Sequence, residues 1–223
     1  APMYPYQYPH PAVTTDIVLF TIGQQQLKYL LIRRKHDPYQ DFWALPGGFV
    51  GMDEDLEASA KRELREETGI TGIHLEQLYS FGKPGRDPRE RVITIAYYAL
   101  VPDTGLPIRA ASDAGEVAWF GLDDSPPLAF DHEAIVAMAR QRLVSRLHCS
   151  TIALQFMPEK FTLGELQGVY EIIQGGAIDT RNFRKRVLAR RCLMASGETR
   201  RNGKHRPARL YTRVAMDTDE VIK

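Results

Sequence analysis

Apolar and polar positions divide the chain into strands and helices. After Thr15 the runs DIVLFTI and QQQLKYLLIRR flank Gly23 and predict a β-hairpin; HDPYQDFWALPGGF follows as a loop and a short strand. Leu56, Ala60 and Leu64 then recur at i, i+4 and i+8, the buried stripe of a helix. Strand character over Ile73 to Phe81 leads into the loop KPGRDPRER, stiffened by Pro84 and Pro88. The β-branched and aromatic run VITIAYYALV behind it is a buried strand, and VAWF a shorter one. From Asp131, apolar residues at 135, 136, 139, 143 and 147 predict an amphipathic helix that closes a first domain.

A second domain begins near Ser150. Thr162-x-x-Glu165 is a capping box, and it opens a helix whose core face is Leu163, Leu166, Val169, Tyr170 and Ile173; Gly175 and Gly176 end it. Another helix starts at Asp179 or Thr180 and is expected to bury Phe183, Val187 and Leu188. SGETRRNGKHRPARLYTRV then reads as a hairpin with Asn202-Gly203 at its tip. Residues 1–13, rich in Pro and Tyr, read as an extended arm or as a disordered segment. The expected boundaries are therefore an arm at 1–13 and domains at 14–149 and 150–223.

With 43% hydrophobic and 26% charged residues in a chain of 223, the composition is that of a soluble globular protein with a sizeable core. No apolar run approaches a membrane span and no signal peptide opens the sequence, so no membrane partner is expected. Cys149 and Cys192 are far apart and have no metal-binding spacing; reduced thiols in a cytoplasmic protein fit them best.

Chemistry concentrates in GGFVGMDEDLEASAKRELREETGI, residues 47–70. Glu54 precedes the helix, and Glu63, Glu66 and Glu67 fall at i, i+3 and i+4 on a face away from the apolar stripe, so three carboxylates are expected to converge on one point. Like charges so placed repel one another, and without a cation they cost stability. Oxygen ligands with neither Cys nor a suitably spaced His favour Mg²⁺ or Mn²⁺ over zinc. Gly47 and Gly48 allow a sharp turn, and the Gly48 carbonyl is a further candidate ligand. Arg62 is placed to orient Glu63. The plain alternative is a solvated acidic helix with Lys61, Arg62 and Arg65 as partners.

The spacing decides between them, because the stretch resembles the Nudix box, G-x5-E-x7-R-E-U-x-E-E-x-G-U with U aliphatic, at Gly48, Glu54, Arg62, Glu63, Leu64, Glu66, Glu67, Gly69 and Ile70. The resemblance implies a strand-loop-helix that binds divalent metal through Glu66 and Glu67, with Glu63 as ligand or base, in enzymes that cleave nucleoside diphosphates linked to another group. Around it, Arg86, Arg89 and Arg91 could grip a diphosphate, guanidinium matching phosphate oxygens in a bidentate way, or could belong to an ordinary solvated loop. The segment is similar to the GRDPR segment of Nudix proteins that handle ADP-ribose, and Pro84 stands where ADP-ribose pyrophosphatases carry a proline after the box. Glu54 joins these as a candidate ligand residue. Trp43 is core or borders the nucleotide pocket. Glu116 is a second candidate base or an acid at the start of a surface strand, and His132 is a capping or packing residue.

The net charge of +1 hides an asymmetry: between Thr180 and Arg213 stand twelve Lys and Arg against Glu198, a net of +11, which leaves −10 for the rest. Arg181, Asn182, Arg184, Lys185, Arg186 and Arg190 decorate the second helix of the domain. Arg200, Arg201, Lys204, His205, Arg206 and Arg209 belong to the hairpin. A basic helix followed by a basic hairpin makes a winged helix-turn-helix, with base contacts from the helix and phosphate contacts from the wing. RNA binding or a merely solvated face are the alternatives, but solvated faces alternate charge signs and this one does not.

The two halves together resemble the Nudix-related transcriptional regulators of NAD metabolism, the NrtR family. FTLGELQGVYEIIQG, NFRKRVLA and GKHRPARLY are similar to that family's C-terminal segments, and the resemblance covers residues 14 to 213. It implies an α+β protein, a Nudix α/β/α sandwich with a mixed sheet plus a C-terminal winged helix-turn-helix. It further implies a cytoplasmic homodimeric repressor of NAD biosynthesis or salvage genes that binds double-stranded operator DNA and senses ADP-ribose or a related NAD metabolite. An intact box favours hydrolysis of that ligand to AMP and ribose 5-phosphate. The competing expectation is a Mg²⁺-dependent ADP-ribose pyrophosphatase without a regulatory role.

Overall fold

Residues 6–102, 114–147, 152–201 and 207–214 are described in a computed structural model. Cys149, the Asn202-Gly203 turn and the candidate DNA contacts Lys204, His205 and Arg206 lie outside them. The described residues form two compact units: 6–21, 28–101 and 114–142 in the first, and 143–147, 152–201 and 207–214 in the second, which also takes in 22–27 and 102.

The first unit is organised on a seven-stranded mixed sheet. The predicted hairpin is β1 (Ala12–Gly23) and β2 (Gln26–Arg34), turned through Gln24 and Gln25 at positive φ. Strands β3 (Trp43–Ala44), β4 (Gly47–Phe49), β5 (Glu76–Phe81), β6 (Val92–Leu100) and β7 (Ala114–Gly121) complete it, in the order β3-β2-β1-β6-β5, with β4 on β1 and β7 on β2. Only β1 and β6 are parallel among the described pairs. Along β1, Ile17 and Leu19 point to one face and Val18 and Phe20 to the other, and all four are fully buried, so the sheet is covered on both sides.

Helix α1 (Leu56–Thr68) lays Ala60 and Leu64, with Leu56 partly buried, onto Ile17, Leu19, Leu30, Tyr97 and Ala99, as the i, i+4, i+8 stripe requires. Asp55 caps its N-terminus and Gly69, in the left-handed region, its C-terminus. Helix α2 (His132–Leu147) buries Ile135, Val136, Ala139, Leu143 and Leu147, the five positions read from its pattern. The division between the two units falls inside this helix.

The second unit runs through a 3-10 turn (Ile152–Phe156), β8 (Phe161–Thr162), α3 (Leu163–Gln174), α4 (Thr180–Ala189), β9 (Leu193–Arg200) and β10 (Ala208–Arg213), with sheet order β8-β10-β9. The capping box is complete: Thr162 Oγ1 accepts from Glu165 N at 3.1 Å and Glu165 Oε2 accepts from Thr162 N at 2.7 Å. Helix α3 buries its whole expected face, and Phe183 and Val187 of α4 pack below it, with Phe183 edge-on to Tyr170. Leu188, expected in this core, is instead 45% exposed. One helical step beyond Val187 turns it about 100° away from the Phe183–Val187 stripe.

Candidate functional site

The β1–β4 register sets the frame of the first site. Thr15 stands opposite Gly48 and Asp16 opposite Gly47, which fixes the strand before the box against the sheet centre. Turning was the role expected of the two glycines, but they lie in a short strand, and close approach is what requires them. A Cβ on Gly47 would come within 2.1 Å of Thr15 O, and one on Gly48 within 2.5 Å of Glu63 Oε1.

Arg62 is the hub of the box. It gives Glu54 a two-point grip (Nε to Oε2 2.9 Å, Nη2 to Oε1 2.6 Å) and donates through Nη1 to Glu63 at 2.6 Å and Glu66 at 3.1 Å, and through Nη2 to Phe49 O at 3.1 Å. The orientation of Glu63 by Arg62 was legible from their adjacency. Glu54 also accepts from Gly51 N at 2.6 Å, and these bonds, Arg62's first, hold its carboxyl down at about 2. Expected as a ligand residue, Glu54 is placed to fasten the loop before α1 to Arg62.

Convergence of the three carboxylates is not what the structure shows. Among the described residues no three His, Cys, Asp or Glu side chains are grouped to hold a metal ion. The physical reason is Arg62, whose guanidinium stands between Glu63 and Glu66 as an internal counter-ion, while Arg65 takes the other oxygen of Glu66. Glu67 is taken up by the backbone instead and accepts from Gly47 N at 2.8 Å. Burial pushes its carboxyl up to about 8, helped by the nearby charges of Glu63 and Asp16. Burial also raises Glu63.

The consequence for Glu67 is testable. Its folded-state value lies above its ordinary one, so the folded chain holds a proton that the unfolded chain has released. The associated stability is fully present below the ordinary carboxylate range and is lost as pH rises through about 8. Urea midpoints of the metal-free protein should fall from pH 5 to pH 8, and Glu67→Gln should flatten that decline.

Across from the box lies a buried ionic cluster. Arg86, whose side chain is 3% exposed, donates to both oxygens of Asp131 (Nε to Oδ2 3.0 Å, Nη2 to Oδ1 2.6 Å) and sits 3.5 Å from Asp16 Oδ2. His132 Nδ1 accepts from Leu45 N at 2.9 Å, so the proton of its neutral ring is on Nε2, 3.5 Å from Asp16 Oδ1. Burial depresses its pKa and keeps it neutral. Arg89 is fastened to Asp87 through its backbone N (2.9 Å), Nε (3.0 Å) and Nη2 (2.7 Å).

Between box and cluster opens a cleft of about 110 Å³ lined by Asp16, Arg34, Gly47, Gly48, Phe49, Arg86, Asp87, Arg89, Phe130 and His132, among others. Of the expected ligand residues, Arg86 and Arg89 reach it, each already paired with a carboxylate. Pro84 is exposed outside its lining. Trp43 packs edge-on to Phe120 with ring centres 4.7 Å apart and does not line it. Glu116 lies within β7, 57% exposed and 4.0 Å from Arg33.

In the second unit, Arg181, Asn182, Arg184, Lys185 and Arg186 are all exposed on α4, and Arg201 and Arg209 are exposed beside the wing. Arg190 is half-buried at the end of α4, with Nη1 3.4 Å from the Tyr170 hydroxyl. Arg200 donates to Glu165 at 2.8 Å and to Lys160 O at 3.1 Å, which ties the wing strand to the start of α3.

A Nudix box carried on a mixed sheet and a three-stranded winged unit are thus parts of one chain. Comparison with known families matches residues 10–140 to the NUDIX domain and residues 153–212 to the NrtR DNA-binding winged helix domain. The ADPR responsive transcriptional repressor NtrR of Acinetobacter baylyi is 37% identical over 95% of this chain and 86% of its own length. The chain belongs to the NrtR family. Shewanella oneidensis NrtR complexed with a 27mer DNA is similar with a TM-score of 0.81 and 38% identity, covering 91% of this chain and 93% of that one. The Nudix domain of the same NrtR complexed with ADP ribose has a TM-score of 0.58 and 37% identity over 63% of this chain and 94% of that one.

For this NrtR-family chain, sequence reasoning missed Asp16, Asp87, Asp131, Arg34 and Phe130. Asp16 alone carried a local signal, a charge inside the apolar run TTDIVLF. The partners of the others are set by tertiary structure. Among the described residues no helix is long and apolar enough to cross a membrane.

Proposed function

We propose that this chain is a repressor of NAD biosynthesis or salvage genes that releases double-stranded operator DNA when its Nudix domain binds ADP-ribose or a related NAD metabolite. The observation that carries the reading is the union of an intact box with an exposed cationic α4, in an order shared over 95% of the chain with an ADPR responsive repressor. A homodimer presenting two α4 helices would suit a palindromic operator, and the setting would be the bacterial cytoplasm.

Arg181, Asn182, Arg184, Lys185 and Arg186 are the base and phosphate contacts of this reading, and Arg201 and Arg209 the wing's phosphate contacts; Arg200 acts through α3. Arg184→Ala and Lys185→Ala are each expected to weaken operator and unrelated DNA alike and to reduce the slope of log K against log salt by about 1. Anisotropy titrations at several salt concentrations read both effects.

The box also supplies hard oxygen donors of the kind a divalent ion takes, with Glu63 against Gly48 and Glu67 buried beside Gly47, and holding an ion would require Arg62 to give up Glu63 and Glu66. Mg²⁺ or Mn²⁺ would be held by Glu63, Glu66, Glu67 and the Gly48 carbonyl, and would supply Lewis acidity toward a diphosphate together with an acidified water. Glu63, oriented by Arg62 and made more basic by burial, is the proton acceptor this favours over the exposed Glu116. The sensor would then degrade its own signal to AMP and ribose 5-phosphate.

The test is binding of the full chain to its own upstream promoter fragment at fixed salt, with and without ADP-ribose and Mg²⁺, with AMP assayed in the same tubes. Specific binding released by ADP-ribose supports the repressor. Rapid AMP formation with no specific binding supports the pyrophosphatase alternative.

A further inference from the structure

The turn between α3 and α4 has little of its own to fix its shape. It opens on Gly175 and Gly176, the first at φ 76°, and Gly175, Gly176 and Ala177 are exposed. Helix α4 is anchored in the core by Phe183 and Val187, but Thr180, Arg181 and Asn182, its first turn, are exposed. In a helix-turn-helix the N-terminal residues of the second helix are the ones that meet base edges. Packing therefore holds α4 behind the residues whose placement matters most for reading a sequence.

Two polar side chains of α3 supply what packing does not. The Glu171 carbonyl accepts from Gly175 N at 2.9 Å and Gly176 N at 3.2 Å, and its Oε1 accepts from Ile178 N at 3.0 Å. Gln167, one helical turn earlier, donates through Nε2 to that same Oε1 at 2.9 Å, to Ile178 O at 3.0 Å and to Thr180 Oγ1 at 3.1 Å. The turn is thus gripped at both polar groups of Ile178, and the first residue of α4 is tied back to α3. Bonds from the Ile178 amide first, and then from Gln167, hold the Glu171 carboxyl below its ordinary range. A carboxylate beside the start of a cationic helix works against attraction of a polyanion, so attraction does not account for its place there.

We propose that Gln167 and Glu171 are positioning residues for operator recognition, setting the first turn of α4 so that its side chains meet base edges in one orientation. This rests on the reading of α4 as the helix that contacts operator DNA. Neither residue belongs to the core face of α3, and alanine favours the helix at both positions.

Anisotropy titrations of the full chain at fixed salt, with its own upstream promoter fragment and with an unrelated duplex of equal length, test the assignment. Gln167→Ala and Glu171→Ala should each weaken promoter binding by about 10- to 100-fold, the discrimination carried by about one base contact. The unrelated duplex should be bound no more weakly than by wild type, and Glu171→Ala, having lost an acid, should bind it slightly tighter. Glu171→Gln keeps an oxygen for Ile178 N and Gln167 Nε2, and should stay within about 3-fold of wild type on the promoter. Wild-type promoter affinity in both alanine variants would overturn the positioning role alone. Equal losses on the two duplexes would mean general damage to the domain and overturn it as well, as would Glu171→Gln failing as badly as Glu171→Ala. A wild-type chain that does not distinguish the two duplexes would overturn the operator reading and the positioning with it.

Discussion

Arg86→Ala is expected to lower the unfolding free energy by about 3–5 kcal/mol, the cost of leaving a buried charge without its partner. The Arg86 side chain is 3% exposed, and its removal strands Asp131 and Asp16, of which Asp16 is itself 8% exposed. The loop after β5 would also lose its tie to the start of α2. Urea unfolding monitored by far-UV circular dichroism measures the change. A side chain extended only toward a ligand would behave as an ordinary surface position, with a change within about 0.5 kcal/mol. A shift that small would return Arg86 to the ligand role its sequence context suggests.

Glu63→Gln is expected to reduce AMP formation from ADP-ribose by about 10²- to 10⁴-fold, the usual contribution of a positioned general base. Glutamine preserves the shape that packs on Gly48 and a carbonyl oxygen for Arg62 Nη1, so the loss should fall on turnover and spare ADP-ribose-dependent release from DNA. Initial rates of AMP production, set beside anisotropy with operator DNA, separate the two. Turnover retained at the wild-type rate would exclude Glu63 as base and leave Glu116 on β7 as the candidate.

Legibility in the sequence followed the range of the interactions. The α1 stripe, the Thr162–Glu165 capping box and the pairing of Arg62 with Glu63 depend on neighbours within a few residues, and each could be read from spacing. The exposed charges of α4 were legible for the same reason. The fate of the carboxylates was not: spacing brought Glu63, Glu66 and Glu67 near one another but left open what would answer them, and here Arg62 answers Glu63 and Glu66 while the Gly47 amide answers Glu67. Arg86 and Asp131 are 45 residues apart, and nothing local to the GRDPR segment shows that its first arginine is committed elsewhere.

Arg62 has one more effect, on how the protein depends on its environment. A site whose acidic groups had only a metal to balance them would tie folding to metal supply, and chelation would unfold it. With a guanidinium fixed among Glu54, Glu63 and Glu66, the acidic helix carries part of its own counter-charge, and folding would lean less on metal supply. Scarcity of divalent ions would then blunt the sensitivity of the switch without changing how many copies of it the cell holds.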